Sequence, residues 1–172
     1  VEAIFERRSI RKYLEKPIPK DIILDLLKAG MYAPTACNQR PWEFLVIDNP
    51  EILLKITGVH PYSQMLKEAP VCIAVCCNKD RTNTIGDPFW EQDCAAATEN
   101  ILLEAQDNGL GAVWLGVYPK ESLINDLKKV LNIPENIIPF SLISLGYPAE
   151  KPKDIEKFDI SRVYHNDWRH RY

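Results

Sequence analysis

Apolar residues recur at helical spacing over residues 21–32, where Ile22, Ile23, Leu26, Leu27 and Gly30 share one face. Pro34 stops that helix. A strand is expected over 44–48 from its aromatic and β-branched content. Asn49-Pro50 is an N-cap with proline at the first helical position, so a helix runs from Pro50 to about Thr57, where Gly58 ends it. A short helix is placed over 63–68. Val71 to Cys77 is nearly all apolar and predicts a buried strand. The stretch 78–88 is polar and predicts a loop. The longest helix spans 89–106 and is apolar on more than one face, which places it centrally. Asn108-Gly109 closes it. A strand over 112–115 ends at Gly116, a helix covers 120–131, Pro134 and Pro139 bracket a loop, and a last strand covers 140–145. The order of elements predicts a layered α/β or α+β sandwich, its sheet containing some parallel pairs.

Beyond Ala149 the periodicity fades, yet Phe158, Ile160, Val163, Tyr164 and Trp168 remain. A tail with that many large apolar groups must cover them against the chain's own core or a partner subunit.

Length and composition narrow the class. A chain of 172 residues with 46% apolar and 26% charged residues is expected to form one globular domain over 1–172. No apolar run approaches the roughly 20 residues that cross a bilayer, and Val1 opens a polar helix rather than a leader. The missing initiator Met suggests that the sequence starts inside the gene product. A net charge of −3 gives no push toward nucleic acid. The five cysteines (Cys37, Cys72, Cys76, Cys77 and Cys94) are odd in number. With no secretory signal they read as reduced thiols in a cytoplasm. They form no Cys-x-x-Cys, the three histidines are scattered, and no metal site is expected.

Against this mildly acidic background, Arg7-Arg8-Ser9-Ile10-Arg11-Lys12-Tyr13 is a dense cluster of cations. Pro17 and Pro19 follow, so the segment is expected to be extended. Alternation then sends Arg7, Ser9 and Arg11 one way, and Arg8 and Ile10 the other. Two guanidinium forks flanking a hydroxyl suit a phosphate or another planar anion. A solvated basic turn is the other reading, and composition alone favours it.

Other motifs are weaker. The glycine run 109–116 follows a helix and opens a strand, the reverse of a dinucleotide fingerprint, so Gly109 and Gly111 read as cap and turn. Gly116 sits at a strand's carboxyl end, where glycine serves equally as a turn or as room for a ligand. No Gly-x-Ser-x-Gly and no Walker loop is present. Glu99, Glu104 and Asp107 read as a solvated helix face.

Five stretches, taken in order, add a family. They are Arg7 to Tyr13, Ala33 to Phe44 (APTACNQRPWEF), Gln92 to Leu103 (QDCAAATENILL), Gly109 to Gly116 (GLGAVWLG) and Lys157 to Val163 (KFDISRV). Spanning nearly the whole chain, they resemble the nitroreductase family of FMN enzymes. The resemblance implies an α+β, nitroreductase-like fold: a central mixed β-sheet flanked by helices, with a C-terminal tail embracing the partner of a homodimer that holds two FMN at its interface. It implies that Arg7, Arg8, Ser9 and Arg11 meet the phosphate, ribityl and pyrimidine edge, and that Pro34, Thr35, Ala36 and Asn38 form the loop laid on the partner's flavin. Leu115, Gly116 and Val117 match the strand end beside flavin N5, and Lys157 a basic position that meets the phosphate.

The activity so implied is ping-pong transfer from NAD(P)H through FMN to a small electron acceptor such as a nitroaromatic or quinone. Arg11 would steady the negative charge of reduced flavin. Two departures stand out. The segment His60 to Lys67 contains no Asn, although larger members set an Asn and a Lys against the pyrimidine there, and the family's common Ser-Ser pair is Thr35-Ala36. The alternatives are a flavin-fragmenting or dehalogenating member of the fold, a non-catalytic FMN carrier or sensor, and a basic interaction module without cofactor.

Overall fold

In the computed structural model, which describes residues 1–172, the regular elements alternate once the N-terminal segment is passed. They are α1 (Glu2–Glu6), α2 (Lys20–Met31), β1 (Trp42–Ile47), α3 (Pro50–Val59), β2 (Val71–Asn78), α4 (Trp90–Asp107), β3 (Gly111–Gly116), α5 (Glu121–Leu131) and β4 (Ile137–Gly146). The four strands form one sheet in the order β1-β2-β4-β3, and every neighbouring pair is antiparallel.

The parallel pairs expected from the alternation of strands and helices are therefore absent from the four strands. The helices α3 and α5 join antiparallel neighbours, and only α4 returns the chain in the same direction: β2 runs parallel to β3, as β1 does to β4. In each case an antiparallel strand lies between them. Parallel pairing is confined to a single bridge from Ser9 to Ala112.

Alternation along β2 divides the core in two. Val71, Ile73, Val75 and Cys77 pack with Leu26 of α2 and with Ala97 and Ile101 of α4. Cys72, Ala74 and Cys76 pack with Leu53 and Ile56 of α3 and with Leu123 and Leu127 of α5. Both faces of the sheet are covered, which is why β2 reads as one unbroken apolar run. Burial pushes the Cys72 and Cys76 thiols up to about 12, so they behave as small core residues.

Two stop signals act differently from expectation. Gly58 lies inside α3, and the helix ends instead at His60, whose φ of −104° and ψ of 111° are extended. Pro61 follows it, and a residue before proline is driven out of the helical region. Pro139 lies within β4 rather than closing a loop. The register against β2 shifts between Val75 and Cys76, where Cys76 faces Pro139, and such an irregularity accommodates a residue with no N–H.

Glycines 109 and 111 behave differently. Gly109 takes a φ of +69°, as a helix cap requires. Gly111 is not in a turn. It opens β3, and a Cβ there would lie 2.6 Å from Ile10, so the bare backbone makes room for the N-terminal segment.

Candidate functional site

The basic segment runs extended along the free edge of the sheet. The Ile10 N–H donates to the Ala112 carbonyl at 3.0 Å. The Tyr13 hydroxyl donates to the Ile10 carbonyl at 2.7 Å. Ile10 is buried between exposed Ser9 and Arg11, as alternation expects, but Lys12 is exposed and Tyr13 buried, so the alternation stops at Arg11.

The arginines then part company. Arg7 pairs with Glu99 of α4 at 3.3 Å. Arg8 donates to the Phe5 carbonyl at 2.6 Å and to Asp154 at 3.0 Å, and its buried Nε has no partner. Arg11 alone keeps its guanidinium free of any carboxylate, while its backbone N–H donates to Glu150 at 2.7 Å.

Arg11 stands at the rim of an open cleft of about 670 Å³, which β3 and the chain after α3 enclose. Tyr62, Met65, Trp114 and Tyr118 give it apolar walls. Two of those rings are fixed from behind: Tyr118 meets Trp90 edge-on with centroids 4.7 Å apart, and Trp114 meets Phe140 at 5.9 Å.

The floor is the end of β3, with Leu115, Gly116 and Val117. Gly116 faces Ser141, and beyond it the Val117 N–H donates to the Phe140 carbonyl at 3.2 Å. That parity turns the odd-numbered peptide groups of β3 toward β4 and the even-numbered ones outward. The outward carbonyl of Gly116 accepts a hydrogen bond from His60 Nε2 at 2.9 Å. The outward N–H of Gly116 has no partner within the chain, and a Cβ at this residue would meet nothing within 4 Å.

The loop 34–40 lies elsewhere. Its backbone is left-handed at Cys37, Asn38 and Arg40, each with a φ of 52°. Two contacts brace it from within, and a third ties it to α4. The Arg40 N–H donates to Thr35 Oγ1 at 3.1 Å, Arg40 Nε donates to Asn38 Oδ1 at 3.0 Å, and the Ala36 N–H donates to Asp93 Oδ1 at 2.9 Å. Burial raises the carboxyl of Asp93 above the ordinary carboxylate range, and its second oxygen is unpartnered. Pro34, Thr35, Ala36 and Asn38 line no part of the cleft that holds Arg11. Lys157 is exposed and pairs with no group of the chain.

Comparison with known proteins gives this arrangement a context. The Nitroreductase family profile matches residues 4–59 and 55–147. The chain belongs to the nitroreductase family. A relative from Methanothermobacter thermautotrophicus, named "Putative NADH dehydrogenase/NAD(P)H nitroreductase", is 49% identical over 98% of this chain and 87% of its own length. The solved structure of a "Putative NADH Oxidase" from Clostridium acetobutylicum superposes with a TM-score of 0.92 at 43% identity, covering 96% of this chain and 99% of that one. A "putative nitroreductase in complex with fmn" from Desulfovibrio desulfuricans superposes with a TM-score of 0.81 at 29% identity, covering 97% and 96%.

Of the residues singled out in this nitroreductase sequence, Arg11, Leu115, Gly116 and Val117 meet in one cleft. Arg7, Arg8 and Ser9 adjoin it along the extended segment, and the loop 34–38 and Lys157 lie apart. Sequence reasoning passed over His60 and Glu150. Glu150 carries no signal beyond its place at the start of the tail. His60 carried only its place directly before Pro61, which marks the end of the helix and not the contact its ring makes.

Proposed function

We propose that this chain is an FMN-dependent oxidoreductase whose flavin ring lies on the end of β3. The outward, partnerless N–H of Gly116 carries the reading. It opens on a cleft whose volume is within the range of about 300–1,000 Å³ usual for small-molecule sites, with an unpaired guanidinium at the rim. The residues present fit the cofactor. Gly116 leaves a flat surface that a side chain would fill. Trp114, Tyr118 and Tyr62 supply apolar walls, and Arg11 supplies a bidentate cation.

Bound there, FMN supplies hydride acceptance and donation, chemistry that no side chain of the cleft performs. The protein's part is binding, orientation and charge. Arg11 is assigned to the anionic edge of the flavin, the Gly116 N–H to a ring acceptor, and Arg7, Arg8, Ser9 and Lys157 to the ribityl-phosphate end. NAD(P)H and a small acceptor, such as a nitroaromatic or quinone, use the open side of the cleft in turn.

The reading includes a homodimer. Phe158, Trp168 and Tyr172 in the tail are more than 70% exposed, as are Phe5 and Tyr32, so the chain does not cover its own apolar groups. Pro34, Thr35, Ala36 and Asn38 are assigned to the partner's flavin. The test is sedimentation of the purified protein with absorbance recorded at protein and flavin wavelengths. The expected result is a dimer carrying one flavin per chain. A colourless monomer that takes up no added FMN contradicts it.

A further inference from the structure

His60 is 1% exposed and sits where α3 ends. Its ring crosses from the helix layer to the open edge of the sheet. Nε2 lies 2.9 Å from the Gly116 carbonyl, and Nδ1 lies 3.3 Å from the Tyr62 N–H. A carbonyl accepts only and a backbone N–H donates only, so the two contacts specify one tautomer. Nε2 carries the proton and Nδ1 is the acceptor.

The backbone behind the ring is equally held. The His60 N–H donates to the Ile56 carbonyl at 2.9 Å, and the Ser63 hydroxyl donates to the His60 carbonyl at 2.8 Å. The ring is therefore a fixed strut. Its far end grips the peptide unit joining Gly116 to Val117, and the Val117 N–H on the other side of that unit is gripped by the Phe140 carbonyl.

This matters because β3 is an edge strand that ends in glycine. Such an end has the widest backbone freedom and one unpaired side, and it frays most readily. The strand end is also the surface on which the flavin reading depends. We propose that His60 is a positioning residue: by donating Nε2–H to the Gly116 carbonyl it locks the end of β3, and so holds the outward Gly116 N–H in the direction a flavin acceptor needs. The role rests on the flavoenzyme reading above. It is distinct from flavin contact, because the ring acts through the backbone of Gly116.

Two variants separate this role from simple packing. His60→Leu keeps apolar bulk and removes the donor. His60→Gln places an amide N–H near the position of Nε2. The first measurements use the protein freed of flavin. Long-range nitrogen–proton correlation in the wild type is expected to show His60 with its proton on Nε2. The Val117 amide is expected to exchange about tenfold faster in His60→Leu, the loss of one hydrogen bond's worth of protection, and to return toward wild type in His60→Gln. With FMN added back, the dissociation constant of oxidised flavin rises about tenfold in His60→Leu with a shifted flavin absorption maximum, and His60→Gln recovers both.

Three results overturn the role: a proton on Nδ1, Val117 exchange equal in all three proteins, or equal flavin binding and spectra in wild type and His60→Leu. Equal losses in Leu and Gln also overturn it, since they mark a steric need rather than a donor. A wild-type protein that binds no FMN is a different failure: it removes the flavoenzyme reading, and this role with it.

Discussion

Glu150 accepts a hydrogen bond from the backbone N–H of Arg11 at 2.7 Å. The same oxygen accepts from Lys12 at 3.2 Å, and the Ala149 N–H donates to the Lys12 carbonyl at 2.9 Å. The first residues of the tail thus fasten the segment that presents Arg11 to the cleft. Glu150→Ala is expected to weaken FMN binding about tenfold, the worth of roughly one charge-assisted hydrogen bond. Glu150→Gln keeps an acceptor and recovers most of the affinity. Fluorescence titration of the flavin-free protein checks both.

The three arginines of the basic segment should separate in their effects. The Arg11 guanidinium has no partner within the chain, whereas that of Arg7 is held by Glu99 and that of Arg8 by Phe5 and Asp154. Arg11→Ala is expected to lower flavin affinity by at least about tenfold with an unchanged melting temperature. Arg8→Ala also removes a hydrogen bond to the Phe5 carbonyl, and is expected to cost about 1 kcal/mol of stability as well. Thermal melts of the flavin-free variants, set beside their flavin affinities, decide this.

A pair of glycine substitutions distinguishes fold from site. At Gly111 a Cβ would lie 2.6 Å from Ile10, and at Gly146 it would lie 2.7 Å from Tyr13. Alanine at either position is expected to destabilise by about 1–3 kcal/mol, as overpacking does. At Gly116 the same change meets open space, so stability is retained while the flavin is displaced from the strand end. Denaturant unfolding and retained flavin absorbance are the two readouts.

Much of this was legible in the chain. The hydrophobic blocks locate the four strands and the major helices to within a few residues. Arg11 and Gly116 are marked by charge density and by position at a strand's carboxyl end. The antiparallel order of the sheet was not legible, because alternation of strands and helices does not say whether β4 will insert between β2 and β3. Nor were the contacts of His60 and Glu150, which join residues far apart in sequence through backbone groups that carry no side-chain signature. The separate fates of Arg7 and Arg8 depend on Glu99 and Asp154, which only the folded arrangement brings near.

Asp93 supplies a pH test. Its carboxyl is raised by burial and accepts from the Ala36 N–H through one oxygen only. A carboxyl with a raised folded value binds its proton more tightly folded than unfolded. Its contribution to stability is full below the unfolded value and falls as pH rises through the folded one. Asp93→Asn keeps the acceptor for Ala36 and has no charge to bury. Stability of the variant relative to wild type is therefore expected to improve as pH rises from about 4 toward neutrality. Asp93→Ala frees the loop 34–38 at every pH. Urea unfolding across that range reads the difference.

Anaerobic titration of the flavin-loaded protein with NADH and with NADPH, followed by a quinone, decides whether the chain is a reductase. The flavin absorbance is expected to bleach with at least one nicotinamide and to return when the quinone is added. A bound flavin that stays oxidised with both donors contradicts this and leaves a carrier or sensor in place of a reductase.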